Sequence, residues 1–321
     1  MNRFVFAAGA IVTSAALIGQ DISEPIKVDV NIVNMFCAVR DKKGGLVPTL
    51  AKEDFQLFED GKAQPIKYFT RETDLPLTIG LLVDVSGSQV NLIDIEKRAA
   101  TAFFQQMLKK KDVAFVISFG ADSELLQDLT GSPKLLQEGL DRLRLNAGTG
   151  GFGGGPVPTA NKPRGTVLYD AVYLAANDRL AREVGRKVIV LITDGEDQGS
   201  SYSIKQAIEQ AQKADTVIYS IYYVDPYFYN RGGMSFGGGG EGYLKQMSED
   251  TGGRVFKVDR GHTLSEAFSQ LQQEMRSQYA IGWTPFTDRK DGSYHKTELR
   301  LADKNLKVQA RKGYYAMPPL Q

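Results

Sequence analysis

Cysteine is nearly absent from this chain: Cys37 is the only one in 321 residues, so an intrachain disulfide is excluded. It sits in the apolar run Met35-Phe36-Cys37-Ala38-Val39, where it reads as a small buried hydrophobe rather than a nucleophile. Histidine is scarce as well. His262 and His295 have no neighbouring cysteine and no HExxH spacing, which argues against zinc sites and cysteine–histidine catalysis. Long basic runs are missing, and the formal net charge is +1, so nothing in the electrostatics points to nucleic acid as partner. There is no Walker loop. What is present is an ordinary globular balance, 42% hydrophobic and 24% charged, in a chain long enough for one large domain and a smaller one.

The first residues stand apart. Arg3 precedes an apolar stretch over 4–19, which then gives way to Gln20-Asp21. That stretch is shorter than the ~20 residues of a spanning helix and has the charged start and apolar middle of a secretory signal peptide. Residues 1–20 are therefore expected to be a signal peptide or, if uncleaved, an N-terminal anchor that would provide the chain's membrane contact. An exported protein without disulfides suits a bacterial periplasm, cell surface or exterior.

Between 75 and 277 the chain alternates strand-like and helix-like segments. Ile79-Gly80-Leu81-Leu82-Val83 and the run from Val188 to Ile192 are almost continuously apolar, as strands covered on both faces should be. Leu92, Ile95, Ala99, Phe103 and Met107 recur at helical spacing, and Pro133 opens another helix that carries Leu136, Leu140 and Leu143. The expected fold is α/β, a doubly wound and mostly parallel sheet flanked by helices. The flanks, 24–74 and 278–316, instead show period-two patterns. Val28, Val30 and Ile32 alternate with polar residues, two short strand patterns surround Glu59-Asp60-Gly61, and Thr297, Leu299 and Leu301 alternate with charged residues. Neither flank is large enough to fold alone. Together they predict one small antiparallel β-domain into which the α/β unit is inserted.

Two strands end alike, in Val83-Asp84-Val85-Ser86-Gly87-Ser88 and in Ile192-Thr193-Asp194-Gly195. In a parallel sheet both ends lie on one edge, where open α/β folds bind ligands. Gly165-Thr166-Val167-Leu168 lies between them in sequence, with Thr166 at the start of a helical pattern. Two carboxylates and three hydroxyls make a hard-oxygen set suited to Mg²⁺ or Mn²⁺. Two acids only balance a divalent ion, so it would retain its attraction for an outside carboxylate. Taken singly, a serine-rich turn or Thr166 would read as a helix cap, and Asp194-Gly195 as a turn.

The combination Asp84-x-Ser86-x-Ser88, Thr166 and Asp194 resembles the metal-ion-dependent adhesion site of von Willebrand factor type A and integrin I domains. The resemblance spans the whole middle region in the right order. It implies metal bound directly by Ser86, Ser88 and, with ligand, Thr166, while Asp84 and Asp194 act mainly through water. It also implies a non-catalytic protein-binding module for adhesion or scaffolding, which coordinates an Asp or Glu of its partner. The alternatives are a metal-dependent phosphoryl-transfer or hydrolytic enzyme, with Asp84 as nucleophile, and a scaffold whose metal is purely structural. The flanks resemble the short β-rich extensions of a bacterial group of such proteins.

Two glycine-rich stretches remain. Residues 148–153 match GxGxxG literally but follow a helix pattern and precede Pro156 and Pro158, so they read as a surface loop rather than a dinucleotide site. Residues 231–242 follow Tyr222-Tyr223 and Tyr227-Phe228-Tyr229, and both stretches are expected to rim the metal edge.

Overall fold

A six-stranded sheet organises the middle of the chain in the computed structural model, which describes residues 32–72, 75–146, 165–225, 239–286 and 290–318. The N-terminal apolar stretch, Val28 and Val30, residues 148–153, Tyr227-Phe228-Tyr229 and most of the second glycine run lie outside them. The strands are β5 (Leu77–Asp84), β6 (Val113–Phe119), β7 (Ser123–Thr130), β8 (Arg186–Thr193), β9 (Thr216–Tyr223) and β10 (Val255–Val258), in the order β10-β9-β8-β5-β6-β7. All neighbours are parallel except β7, an edge strand, which runs antiparallel to β6. β5 is buried at all eight positions, which explains the apolar run over 79–83.

Helices cover both faces. α1 (Ile93–Met107), α2 (Pro133–Asp141) and α6 (Leu264–Met275) pack on one side against Ile79, Leu81, Val83, Val188 and Val190. α3 (Leu168–Leu174), α4 (Ile204–Lys213) and α5 (Gly240–Thr251) pack on the other against Leu82, Phe115, Ile189 and Leu191. From β5 the chain moves to one side, through β6 and β7. It then returns to place β8 on the other side of β5, so the order reverses between these two central strands. Crevices form at such switch points because the flanking connections diverge to opposite faces.

Among the described residues no helix is long and apolar enough to cross a membrane. α5 starts at Gly240, so the end of the second glycine run is helix rather than loop. α1 and its N-cap bury Leu92, Ala99, Phe103 and Met107 as expected but not Ile95, which is 40% exposed, while Glu96 turns inward with Ala100 and Phe104.

Strands from the two flanks interleave in two four-stranded sheets. One has the order β13-β1-β11-β4, with β1 (Val33–Arg40), β4 (Tyr68–Glu72), β11 (Gln278–Trp283) and β13 (Lys307–Ala310). The other has the order β14-β12-β2-β3, with β2 (Phe55–Glu59), β3 (Lys62–Gln64), β12 (Tyr294–Leu301) and β14 (Gly313–Tyr315). β1 pairs antiparallel with β11, and β2 with β12, so each sheet needs both ends of the chain. The two sheets share a core that includes Met35, Cys37, Leu57, Ile281, Trp283 and Leu299. Cys37 is fully buried there, as a small hydrophobe. The β2–β3 hairpin turns on Asp60 and Gly61, both at positive φ as a two-residue primed turn requires.

Candidate metal site at the central strand ends

β5 and β8 are hydrogen-bonded neighbours, with Val83 opposite Ile192, so Asp84 and Thr193-Asp194 emerge side by side. Asp84 is fully buried. Its Oδ1 accepts the Ser86 N–H at 2.9 Å, and its Oδ2 accepts the Thr193 hydroxyl at 2.5 Å. The turn after β5 brings Ser86 Oγ and Ser88 Oγ within 3.2 Å of each other. Backbone bonds fix this turn from below: Val85 N–H donates to the Phe119 carbonyl, and Asn146 N–H to the Val85 carbonyl. Ser86 precedes a short 3₁₀ turn without capping it, which leaves both hydroxyls facing one another.

Thr166 reaches the same edge through the backbone. Its carbonyl accepts the Gln198 N–H, and the next N–H, of Val167, donates to Gly120 just beyond β6. It does not act as a helix cap. The N-cap position of α3 is Val167, and the first-turn amides of Tyr169 and Asp170 are met by Asp197 and Ser200 from the loop after β8. That loop thereby frees the threonine hydroxyl from the capping role.

Asp194 is buried, and its Oδ1 accepts the Glu196 N–H at 3.1 Å. Beside it, Gly195 (φ +81°) crosses Gly240 at the start of α5. A Cβ on Gly195 would lie 2.5 Å from the Gly240 carbonyl oxygen, and one on Gly240 would lie 2.1 Å from that of Asp194. Only glycine tolerates both the positive φ and the approach. Gly195→Ala should therefore cost about 1–3 kcal/mol and push Asp194 off the edge. Thermal melts and Mn²⁺ titration of this variant should show lowered stability and weakened metal binding together. Wild-type behaviour in both would contradict the crossing.

Electrostatics here are dominated by carboxylates. Burial first, and then the Asp194 charge, push the Asp84 carboxyl up to about 7. Two further acids join that the motif does not contain. Glu196, whose carboxylate accepts the Gly240 N–H, is raised by partial burial and by Asp194. Glu96 is raised well above its ordinary range by burial, then by Asp84 and Asp194. Glu196 was visible in Asp194-Gly195-Glu196 only as a turn residue. Glu96 had a signal in its spacing, four residues after Leu92 and three before Ala99, on the stripe that turns inward.

Among the described residues no three of the histidine, cysteine, aspartate and glutamate side chains lie close enough to hold one ion. A cation here must rely on the mixed hydroxyl and carboxylate set, and buried acceptor oxygens without donors fit such a guest. They belong to Gln89, beside Ser88, and to Glu96. The donor set is hard oxygen throughout, as Mg²⁺ and Mn²⁺ prefer.

Residues 79–196 match the family model of the von Willebrand factor type A domain. Among curated proteins none matches the chain. Similar solved structures include an aerotolerance-related membrane protein from Bacteroides fragilis, 17% identical, covering 62% of this chain and 98% of that one, with a TM-score of 0.44. The proximal thread matrix protein 1 of the mussel byssus, with a zinc-occupied MIDAS motif, is 15% identical over 66% of this chain and 48% of its own, at 0.47. The von Willebrand domain of the type V pili tip protein Mfa5 from Porphyromonas gingivalis is 13% identical over 64% and 96%, at 0.45.

Proposed function

We propose that the von Willebrand factor type A domain carried by residues 79–196 holds Mg²⁺ or Mn²⁺ on Asp84, Ser86, Ser88, Thr166 and Asp194, and uses the ion to bind an acidic side chain of a protein partner. The observation that carries this reading is the meeting of Asp84 and Asp194 at adjacent strand ends, beside paired serine hydroxyls. Two buried like charges are costly to keep ionised, and a divalent ion relieves them both. The hydroxyls complete the coordination without adding charge, so the ion keeps its pull on an external Asp or Glu carboxylate. When bound, the ion would supply an electrophilic anchor, and the protein would supply its position.

Binding is favoured over catalysis by the burial of the one obvious nucleophile. Asp84 has no exposed surface, and both its oxygens already accept hydrogen bonds from the protein. A phosphoryl-transfer role would need that carboxylate open to substrate. We place the protein at the cell envelope or outside it, because Arg3 and the apolar stretch over 4–19 have the form of an export signal.

The test is capture from the native envelope fraction on the immobilised full chain, with Mg²⁺ and with EDTA in parallel. Partners should be retained with Mg²⁺ only, and Asp194→Ala should retain none. Equal retention in EDTA would overturn the ion's bridging role. A metal that raises the melting temperature without changing retention would favour a purely structural ion.

A further inference from the structure

The inward face of α1 holds a carboxylate with nothing to bind. Glu96 is fully buried, and among the described residues neither of its oxygens meets a hydrogen-bond donor. Seven residues earlier Gln89, also fully buried, leaves its Oε1 in the same condition while its amide donates to Ser88 Oγ at 3.4 Å. An unpaired buried polar group costs about 1–3 kcal/mol, more when charged, and the apolar neighbours Ala99, Ala100 and Phe103 show what this face otherwise selects. Leucine at 96 would serve folding better. The charges that act on Glu96 are those of Asp84 at the end of β5 and Asp194 after β8, with the Tyr223 hydroxyl at the end of β9 also within electrostatic reach. The two aspartate charges worsen its position in the absence of a cation.

Three buried acceptor oxygens without donors, two on a side chain within electrostatic reach of Asp84 and Asp194 and one on the residue bonded to Ser88, are matched by a hydrated cation, since coordinated water is a strong donor and Mg²⁺ keeps several of its waters. Glu96 does not join Asp84 and Asp194 closely enough for the three to hold one ion directly, so it acts at one remove. We propose that Glu96 is a further residue of the metal site, a positioning residue that with Gln89 accepts hydrogen bonds from the ion's hydration shell and adds a third negative charge behind it. This inference rests on the metal site proposed above. It also explains why an acid persists on a core-facing helix position: it lowers stability in the empty protein and gains a partner only with the ion.

The experiment uses the full chain with Mn²⁺ alone as probe, measuring affinity by calorimetry and melting temperature in EDTA. Glu96→Leu should raise the melting temperature in EDTA and weaken Mn²⁺ binding at least tenfold, two changes of opposite sign that a packing role cannot produce. Glu96→Gln, with the same shape and no charge, should weaken Mn²⁺ at least threefold and carries the test if the leucine variant fails to fold. Mn²⁺ affinity within twofold of wild type in the folded variants would overturn the proposal, as would a lowered melting temperature for both. Asp194→Ala serves as reference. If it binds Mn²⁺ normally, the metal site itself is wrong; if it fails to bind while the Glu96 variants bind normally, only the role of Glu96 is wrong.

Discussion

Asp84→Asn should abolish divalent-metal binding and, in EDTA at pH 8, make the protein more stable than wild type. Both effects follow from one buried carboxylate. Desolvation, followed by the Asp194 charge, raises Asp84 from 3.8 to about 7 in the folded protein. At 1.36 kcal/mol per unit, that shift makes the ionised group unfavourable by roughly 4 kcal/mol. The folded-state value lies above the unfolded one, so between them the unfolded chain has lost a proton that the folded protein still holds. Stability therefore falls as pH rises from about 4 to about 7, and is level beyond. Asparagine removes that dependence. It also offers a single oxygen where the carboxylate serves two donors, the Ser86 N–H and the Thr193 hydroxyl, and an unmet donor costs about 1–3 kcal/mol. The net expectation is a gain of roughly 1–3 kcal/mol at pH 8 that shrinks, and then reverses, towards pH 4. Melts in EDTA across that window measure the stability, and calorimetry with Mn²⁺ should show at least a hundredfold loss of affinity. A stability difference that does not vary with pH would refute the buried-charge account, and unchanged Mn²⁺ binding would refute the site.

How much of this was legible in the sequence depends on whether a residue's role is set by its own strand or by its neighbours. The strand ending at Asp84 and the one ending at Thr193 could be read from their apolar runs over 79–83 and 188–192, because a strand covered on both faces is apolar through its centre. Parallel topology placed both strand ends on one edge, their immediate adjacency is set by the strand order of the fold, and the period-two patterns of the flanks announced half-exposed strands such as β12. The groups that resisted reading are polar residues whose burial is decided by the fold. Glu96 differs from Ile95 by one helical step; its spacing from Leu92 and Ala99 is compatible with the inward stripe, as is that of Ile95, and the docking of α1 decides that the acid is inside and the isoleucine outside. Thr166, read as a site residue only through its combination with the two strand ends, taken singly would have read as a cap, a role that Asp197 and Ser200 take instead. Arg186 and Glu274 look like surface charges, yet both are buried where the flank sheets meet the α/β unit.

That junction sets the second large effect: Glu274→Ala should destabilise the protein by about 3 kcal/mol, the lower end for breaking a buried ion pair. Glu274, on α6, has no exposed surface, and its Oε2 receives Arg254 at 2.7 Å and Arg40 from β1. The arginine side chains remain 16% and 26% exposed, so water reaches them when the acid is removed, which keeps the cost from being higher. Alongside, Arg186 on β8 donates to the Met275 carbonyl and to Gln278 Oε1 and lies over the Phe36 ring, while Gln278 Nε2 donates to the Tyr219 hydroxyl at 3.0 Å. Arg40–Glu274, Arg186–Gln278, Arg186–Phe36 and Gln278–Tyr219 each join a strand of the flank sheets to an element of the α/β unit, while Arg254 and the Met275 carbonyl hold the same groups from within that unit. The described residues fall within one compact unit, and with this seam intact they should melt in one transition. Arg40→Ala should cost less than Glu274→Ala, because Arg254 still neutralises the acid, and the double variant should cost less than the sum of the two, since both remove the same contact. With Glu274 gone, the melting temperature should drop by roughly 6–12 °C, and the calorimetric peak should broaden or split as the two-sheet core releases ahead of the six-stranded sheet. A single sharp transition at the wild-type temperature would mean that apolar contacts alone hold the two parts together, and that the buried charges at their junction contribute nothing to that hold.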